Sequence, residues 1–139
     1  MSVNLKFSRE KNSMRDIKFR GQSINTVGGG KPIKEWVYGC LIIDESCKNE
    51  YKYRIQPKES KQLYAPAVIP ETISQYTGLK DKIGTDIYEG DIINIGDPNI
   101  PYGVVWADTG FVGKALRARD IIGLSHWCGV SEVMGNVFQ

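Results

Sequence analysis

Four carboxylates, Asp81, Asp86, Glu89 and Asp91, fall within eleven consecutive residues. Gathered in a cleft, such a group would hold a magnesium ion or supply the acid and base of a hydrolase. Their surroundings read instead as turns between short strands. Lys82-Ile83-Gly84 and Glu89-Gly90-Asp91 each put a glycine where a tight turn needs positive φ, and an aspartate in such a turn bonds the nearby backbone. Turn chemistry accounts for Asp81 and Asp91, and nothing in the spacing makes the four converge. The one histidine, His126, would complete a zinc site only if Cys40, Cys47 and Cys128 all converged on it, and their spacing fits no metal-ligand pattern. An odd number of cysteines without a Cys-x-x-Cys pair reads as reduced thiols. Gly28-Gly29-Gly30-Lys31-Pro32 fails as a phosphate loop, because Asn25 stands where the first glycine is required and Pro32 where the magnesium-binding hydroxyl is. It reads as an interstrand loop. No catalytic, cofactor-binding or metal-binding residue is assigned, and the expectation is a non-enzymatic protein without a cofactor.

Two binding chemistries remain. Residues 1–65 carry 13 Lys and Arg against 7 Asp and Glu, a net of +6, and residues 66–139 carry 5 against 9, a net of −4. The basic half suits phosphate contact, for which Lys18, Arg20, Lys52 and Arg54 are the candidates. Tyr51 and Tyr53 interleave with two of these cations as on a stacking platform for single strands. The same alternation describes an amphipathic strand with tyrosines inward and cations in water. The acidic second half argues against phosphate contact there. A protein-interaction surface is the other reading, with Trp36, Tyr38, Leu41, Tyr51 and Tyr53 as its candidates. The complementary halves equally let one subunit dock on another.

The elements that must position these residues are short strands. At 139 residues, with 41% hydrophobic and 24% charged, the chain falls in the soluble globular class and has length for one domain or two small modules. No apolar run approaches a membrane span and no signal segment is evident, so no membrane partner and a cytoplasmic location are expected. Residues 1–13 read as a polar, flexible arm. Residues 15–20 alternate, with Ile17 and Phe19 on the inner face, and Gly21 ends the strand. Residues 35–43 are apolar on both faces and pair with the alternating stretch 51–56 as an antiparallel hairpin. Prolines at 57, 66 and 70 mark an extended linker. The expected modules are residues 14–65 and residues 66–139. In the second, five strands (86–88, 91–95, 102–106, 110–114 and 132–138) have the size and spacing of a small SH3-like barrel, interrupted by a helical turn or two in 114–122. The fold class is all-β. Because the first 65 residues offer little to cover both faces of 35–43, a second copy is the expected cover, making a homodimer or higher homo-oligomer.

Lys18-Phe19-Arg20-Gly21, Trp36-Val37-Tyr38-Gly39, Ile69 to Ile73 running into Gln75-Tyr76-Thr77-Gly78-Leu79, Tyr88-Glu89-Gly90-Asp91 and Val133 to Val137 resemble, in sequence and order, the YopX family of phage and prophage proteins. The resemblance covers residue 14 to the C-terminus, with Ser74 and Ile83 departing from the usual glycine and asparagine. It implies an all-β fold with an intertwined N-terminal part and an SH3-like C-terminal barrel. It brings no established activity and no catalytic residues. The working expectation is a phage accessory protein that binds a host or phage protein, with nucleic-acid binding through the basic first half as the alternative.

Overall fold

The computed structural model describes residues 15–25, 33–58 and 65–138. The expected N-terminal arm, the glycine-rich loop at 28–32 and part of the proline-marked linker lie outside them. Among the described residues ten strands form two five-stranded antiparallel sheets, and the chain is all-β. The first sheet contains β1 (Phe19–Asn25), β2 (Ile33–Ile43), β3 (Tyr53–Pro57), β4 (Ser74–Lys80) and β5 (Asp86–Tyr88), in the order β3-β2-β1-β4-β5. The second contains β6 (Asp91–Asn94), β7 (Tyr102–Ala107), β8 (Gly110–Ala115), β9 (Ile121–Gly123) and β10 (Glu132–Asn136), in the order β10-β6-β7-β8-β9. Neither sheet closes on itself. Among the described residues no helix is long and apolar enough to cross a membrane.

β2 is the long strand of the first sheet because its run of Trp, Val, Tyr, Leu and Ile favours extended backbone throughout. Its first part pairs with β1, from Asn25↔Ile33 to Phe19↔Gly39, and its last part with β3, from Gly39↔Pro57 to Ile43↔Tyr53. The hairpin is the expected one, but β3 starts later. Glu50–Lys52 is a 3-10 turn, closed by Asn49, whose side-chain oxygen accepts from the Tyr51 amide. Tyr51 therefore leaves the face it was expected to share with Tyr53 and Ile55, and of the three only Ile55 is fully buried.

β1 also departs from its expected frame. Gly21 does not end it, and Ile17, expected inside, is 57% exposed, while Arg20, expected outside, is 6% exposed. A Cβ on Gly21 would stand 3.0 Å from the Val68 Cβ, so the glycine permits close approach within the strand rather than terminating it. Val68 arrives there on residues 65–69. These are hydrogen bonded to both β3 and β1: Ile55 donates to the Pro66 carbonyl, Val68 to Tyr53 and Ile69 to Gln22. The described end of the expected linker is thus packed onto the first sheet.

The block from Thr77 to Asp91, grouped by sequence with the second module, straddles both sheets. β4 and β5 complete the first sheet, yet Ile87 of β5 joins Ile93, Tyr102, Val104, Ala115 and Leu124 in the apolar core of the second, with Leu79 packed against it. Asp81 secures the turn between them. Its Oδ1 accepts from the Ile83 and Thr85 amides and its Oδ2 from Val133 of β10. The expected helical turn in 114–122 is absent. β8 bends back into β9 there, with the Ala115 amide donating to the Asp120 carbonyl, and an α-helix, α1, falls later, at Leu124–Trp127.

Candidate functional site

The two sheets meet at Arg20. Its guanidinium lies between the rings of Trp36 and Tyr88, 4.7 Å from each centroid. Nη2 donates to Asp91 Oδ1 at 2.7 Å and lies 3.4 Å from the Glu89 carbonyl oxygen. The pair is almost dry, with side-chain exposures of 7% and 2%. One cation thereby touches β1, β2, β5 and the start of β6. Asp91 is aimed by the turn before it. Gly90 has φ +86°, and the Tyr88 amide donates to Asp91 Oδ2 at 2.8 Å, a turn for which glycine is the natural residue. Aromatic contacts continue outward. Tyr88 meets Tyr38 edge-on at 5.7 Å and Tyr76 at 5.5 Å, and Trp36 meets Phe138 at 5.8 Å.

Beside this stack lies a cavity of about 410 Å³, between Lys18, Arg20, Tyr38 and Tyr88 of the first sheet and Asp91 and Asn136 of the second. The size is that of small-ligand pockets. Burial pushes the Tyr88 phenol up to about 12, so it stays protonated. Burial also raises the Asp91 carboxyl, an effect that the Tyr88 amide and Arg20 only partly offset. Asp86 goes the other way. Burial raises it, but hydrogen bonds from Lys18 and Lys80 outweigh that and hold it below its ordinary value. The Lys18 ammonium, 2.7 Å from Asp86 and 4.5 Å above the Tyr76 ring, is raised in turn by that hydrogen bond.

The residues singled out by sequence are divided by these contacts. Among the candidates for phosphate contact, Arg20 is buried on Asp91 and Lys18 is paired with Asp86. Lys52 reaches Glu45 at 3.2 Å, and Arg54 donates to the carbonyls of Tyr51 and Ala65. Each of the four has an internal partner. Among the aromatic and aliphatic candidates, Trp36, Leu41 and Tyr53 are half-buried, while Tyr38 and Tyr51 are 47% and 49% exposed. Ile42 and Ile43, at 42% and 48% exposed, extend the apolar surface around them. The carboxylates Asp81, Asp86 and Asp91 do not converge, each being engaged by its own partners. Among the described residues no group of His, Cys, Asp or Glu could hold a metal ion. Cys40 is exposed, and Cys47 and Cys128 are half-buried.

Sequence reading missed Tyr88, Asp91 and Asn136 as members of one site. Asp91 stands 71 positions from Arg20, and no local period carries that pairing. Parity gave no signal either. In the folded strand both parities are buried, Arg20 and Gln22 on one and Gly21 and Ser23 on the other, while Ile17 lies exposed before it.

Together these elements define a class: an all-β protein of two antiparallel sheets, joined by a buried and aromatic-flanked ion pair beside a polar cavity. The chain belongs to the YopX protein family, whose family model matches residues 7–139, nearly its whole length. No curated protein matches it.

Proposed function

We propose that this is a non-enzymatic interaction or assembly module of a phage or prophage, acting in the cytoplasm of the host and pairing with a second copy through the first sheet. Membership of the YopX family supports the phage-type reading. The observation that carries the interaction reading is the exposure of Tyr38, Ile42, Ile43 and Tyr51, on and beside one strand. Covering such side chains contributes about 1.5–3 kcal/mol each when burial is complete, enough for several from each copy to exceed the cost of association. The first sheet is then the assembly unit. The second, a small open sheet with its own core, is read as a relative of the SH3-like barrels.

Sedimentation velocity at micromolar concentration tests this. A species of twice the 15.6 kDa chain mass is expected, dissociating in Ile43→Glu and persisting in Lys52→Glu. A 15.6 kDa species throughout removes the pairing. A gel shift at physiological salt is expected to show no selective retention of nucleic acid. Tight, salt-sensitive and selective binding there would favour the nucleic-acid reading.

A further inference from the structure

The hydrogen-bonding groups around the cavity are unbalanced. Both oxygens of Asp91 are occupied, one by Arg20 and one by the Tyr88 amide. Both oxygens of Asp86 are occupied as well, by Lys18 and Lys80. Each carboxylate oxygen on this wall thus already has a donor, whereas N–H groups of Lys18 and Arg20 are left over. An ammonium has three N–H groups and a guanidinium five. Lys18 makes one short bond, to Asp86, with Asp16 farther off at 3.6 Å. Arg20 bonds through Nη2, while its buried Nε has no partner. The Tyr88 phenol, held protonated by burial, is a further donor. Beside these donors stand the faces and edges of Tyr38 and Tyr88, and Tyr38 is exposed at the rim.

A surplus of charged and phenolic donors beside an aromatic wall calls for a ligand that supplies acceptors and a flat apolar stem. We propose that the cavity between the two sheets is a binding site for a carboxylate borne on an aromatic or apolar stem, received by Lys18 and Arg20 with Tyr38 and Tyr88 against the stem. An acidic side chain of a partner protein and a free small aromatic acid share this chemistry. The protein source rests on the interaction reading above, and Tyr38 belongs to both surfaces. The carboxylate site itself does not depend on self-association.

The test is a titration of the isotope-labelled full chain, followed by its amide resonances and by the Arg20 Nε–H signal. Four probes are compared: benzoate, its neutral isostere benzamide, inorganic phosphate, and the acetylated dipeptide Phe-Glu amide. Benzoate or the dipeptide is expected to shift Tyr88, Asp91, Gly135 and Asn136 saturably. Benzamide is expected to bind at least about ten-fold more weakly, since hydrogen bonds to a charged group are worth about 1.5–3 kcal/mol. Tighter binding of the dipeptide assigns the site to a protein partner, and tighter binding of benzoate to a free acid. Lys18→Gln, which leaves Asp86 its Lys80 partner, is expected to keep the fold and weaken both. The inference is overturned if neither acid saturates, if benzamide or phosphate equals benzoate, or if Lys18→Gln binds unchanged. Failure of the titration leaves the apolar surface on β2 as it stands, and a monomer in sedimentation leaves the titration interpretable.

Discussion

The two sheets bury different chemistry. The second encloses Ile93, Tyr102, Val104, Ala115 and Leu124, with Ile87 contributed by β5. It also buries Asp91 and Asn94 on β6, whereas the first sheet buries Arg20, Gln22, Ser23, Thr72 and Ser74 alongside Ile55, Val68, Ala65, Tyr76 and Tyr88, and leaves Tyr38, Ile42 and Ile43 exposed. Its interior polar groups are bonded: Thr72 Oγ1 accepts from the Gln22 amide at 2.9 Å and donates to the Ile69 carbonyl at 2.7 Å. Burying a polar group costs free energy unless it finds such a partner, and apolar surface left in water forgoes the stabilisation of burial. The apolar core of the second sheet is thus completed by Ile87 from the first. Both sheets leave apolar side chains in water, Ile42 and Ile43 on the first and Trp106 and Ile121 on the second, and the first depends besides on specific polar contacts for its own cohesion.

Four measurements sharpen or break this contrast. Asp91→Ala strands Arg20 between two aromatic rings without its carboxylate, and urea denaturation is expected to show a loss of about 3–5 kcal/mol. The double variant Arg20→Met with Asp91→Leu should recover much of it. A loss under about 1 kcal/mol in the single variant would mean that the polar seam is not what holds the first sheet to the second. Next comes Ile93→Ala, which cuts a cavity into the apolar core of the second sheet and is expected to cost about 2–5 kcal/mol in the same assay.

A smaller effect follows pH. The Asp81 and Asp86 carboxyls lie below their ordinary value of 3.8 in the folded chain. Each therefore contributes stability that is present above that value and lost as pH falls through the lowered one. Asp91, raised by burial, has the opposite sign. Its contribution is full below the ordinary value and is lost as pH rises through the raised one. Thermal melts from neutral pH downward should thus show stability falling below about pH 4, and Asp86→Asn should flatten that fall. An unchanged slope would deny the lysine contacts their role. Smallest is Ile42→Ala, 42% exposed at the outset, which should change monomer stability by no more than about 0.5 kcal/mol. A concentration-dependent loss would show instead that Ile42 is covered by a second copy.

Sequence patterning was most legible where one physical rule acted alone. The strands β2, β6, β7 and β8 are runs of apolar and β-branched residues bounded by turn residues. Asp97, whose side chain accepts from the Asn99 amide, and Asp108, at φ +53°, are turn residues of the kind that bound such strands. Patterning failed where tertiary contacts reversed it. Alternation assumes that one parity faces inward, and β1 breaks that because Arg20 is paired and stacked while Gly21 and Ser23 of the other parity are buried too, and Ile17 before it is not covered. Ala115, Leu116 and Ala118 have helical propensity, yet β8 pairs with β9 and claims the segment. The cavity was out of reach for the same reason. Its cations come from β1 and the residue just before it and its carboxylates from β5 and β6, and only the folded sheets set them side by side.

The neighbours Ile87 and Tyr88 carry a consequence for how the chain comes apart. One is fully buried in the apolar core of the second sheet and the next packs on Arg20 of the first, so β5 cannot melt without opening both interiors at once. The two halves should therefore unfold as a single cooperative unit, even though either sheet alone has enough strands to stand as a small domain. Trp36 in one half and Trp106 in the other serve as natural reporters, and single-tryptophan variants should trace coincident urea transitions.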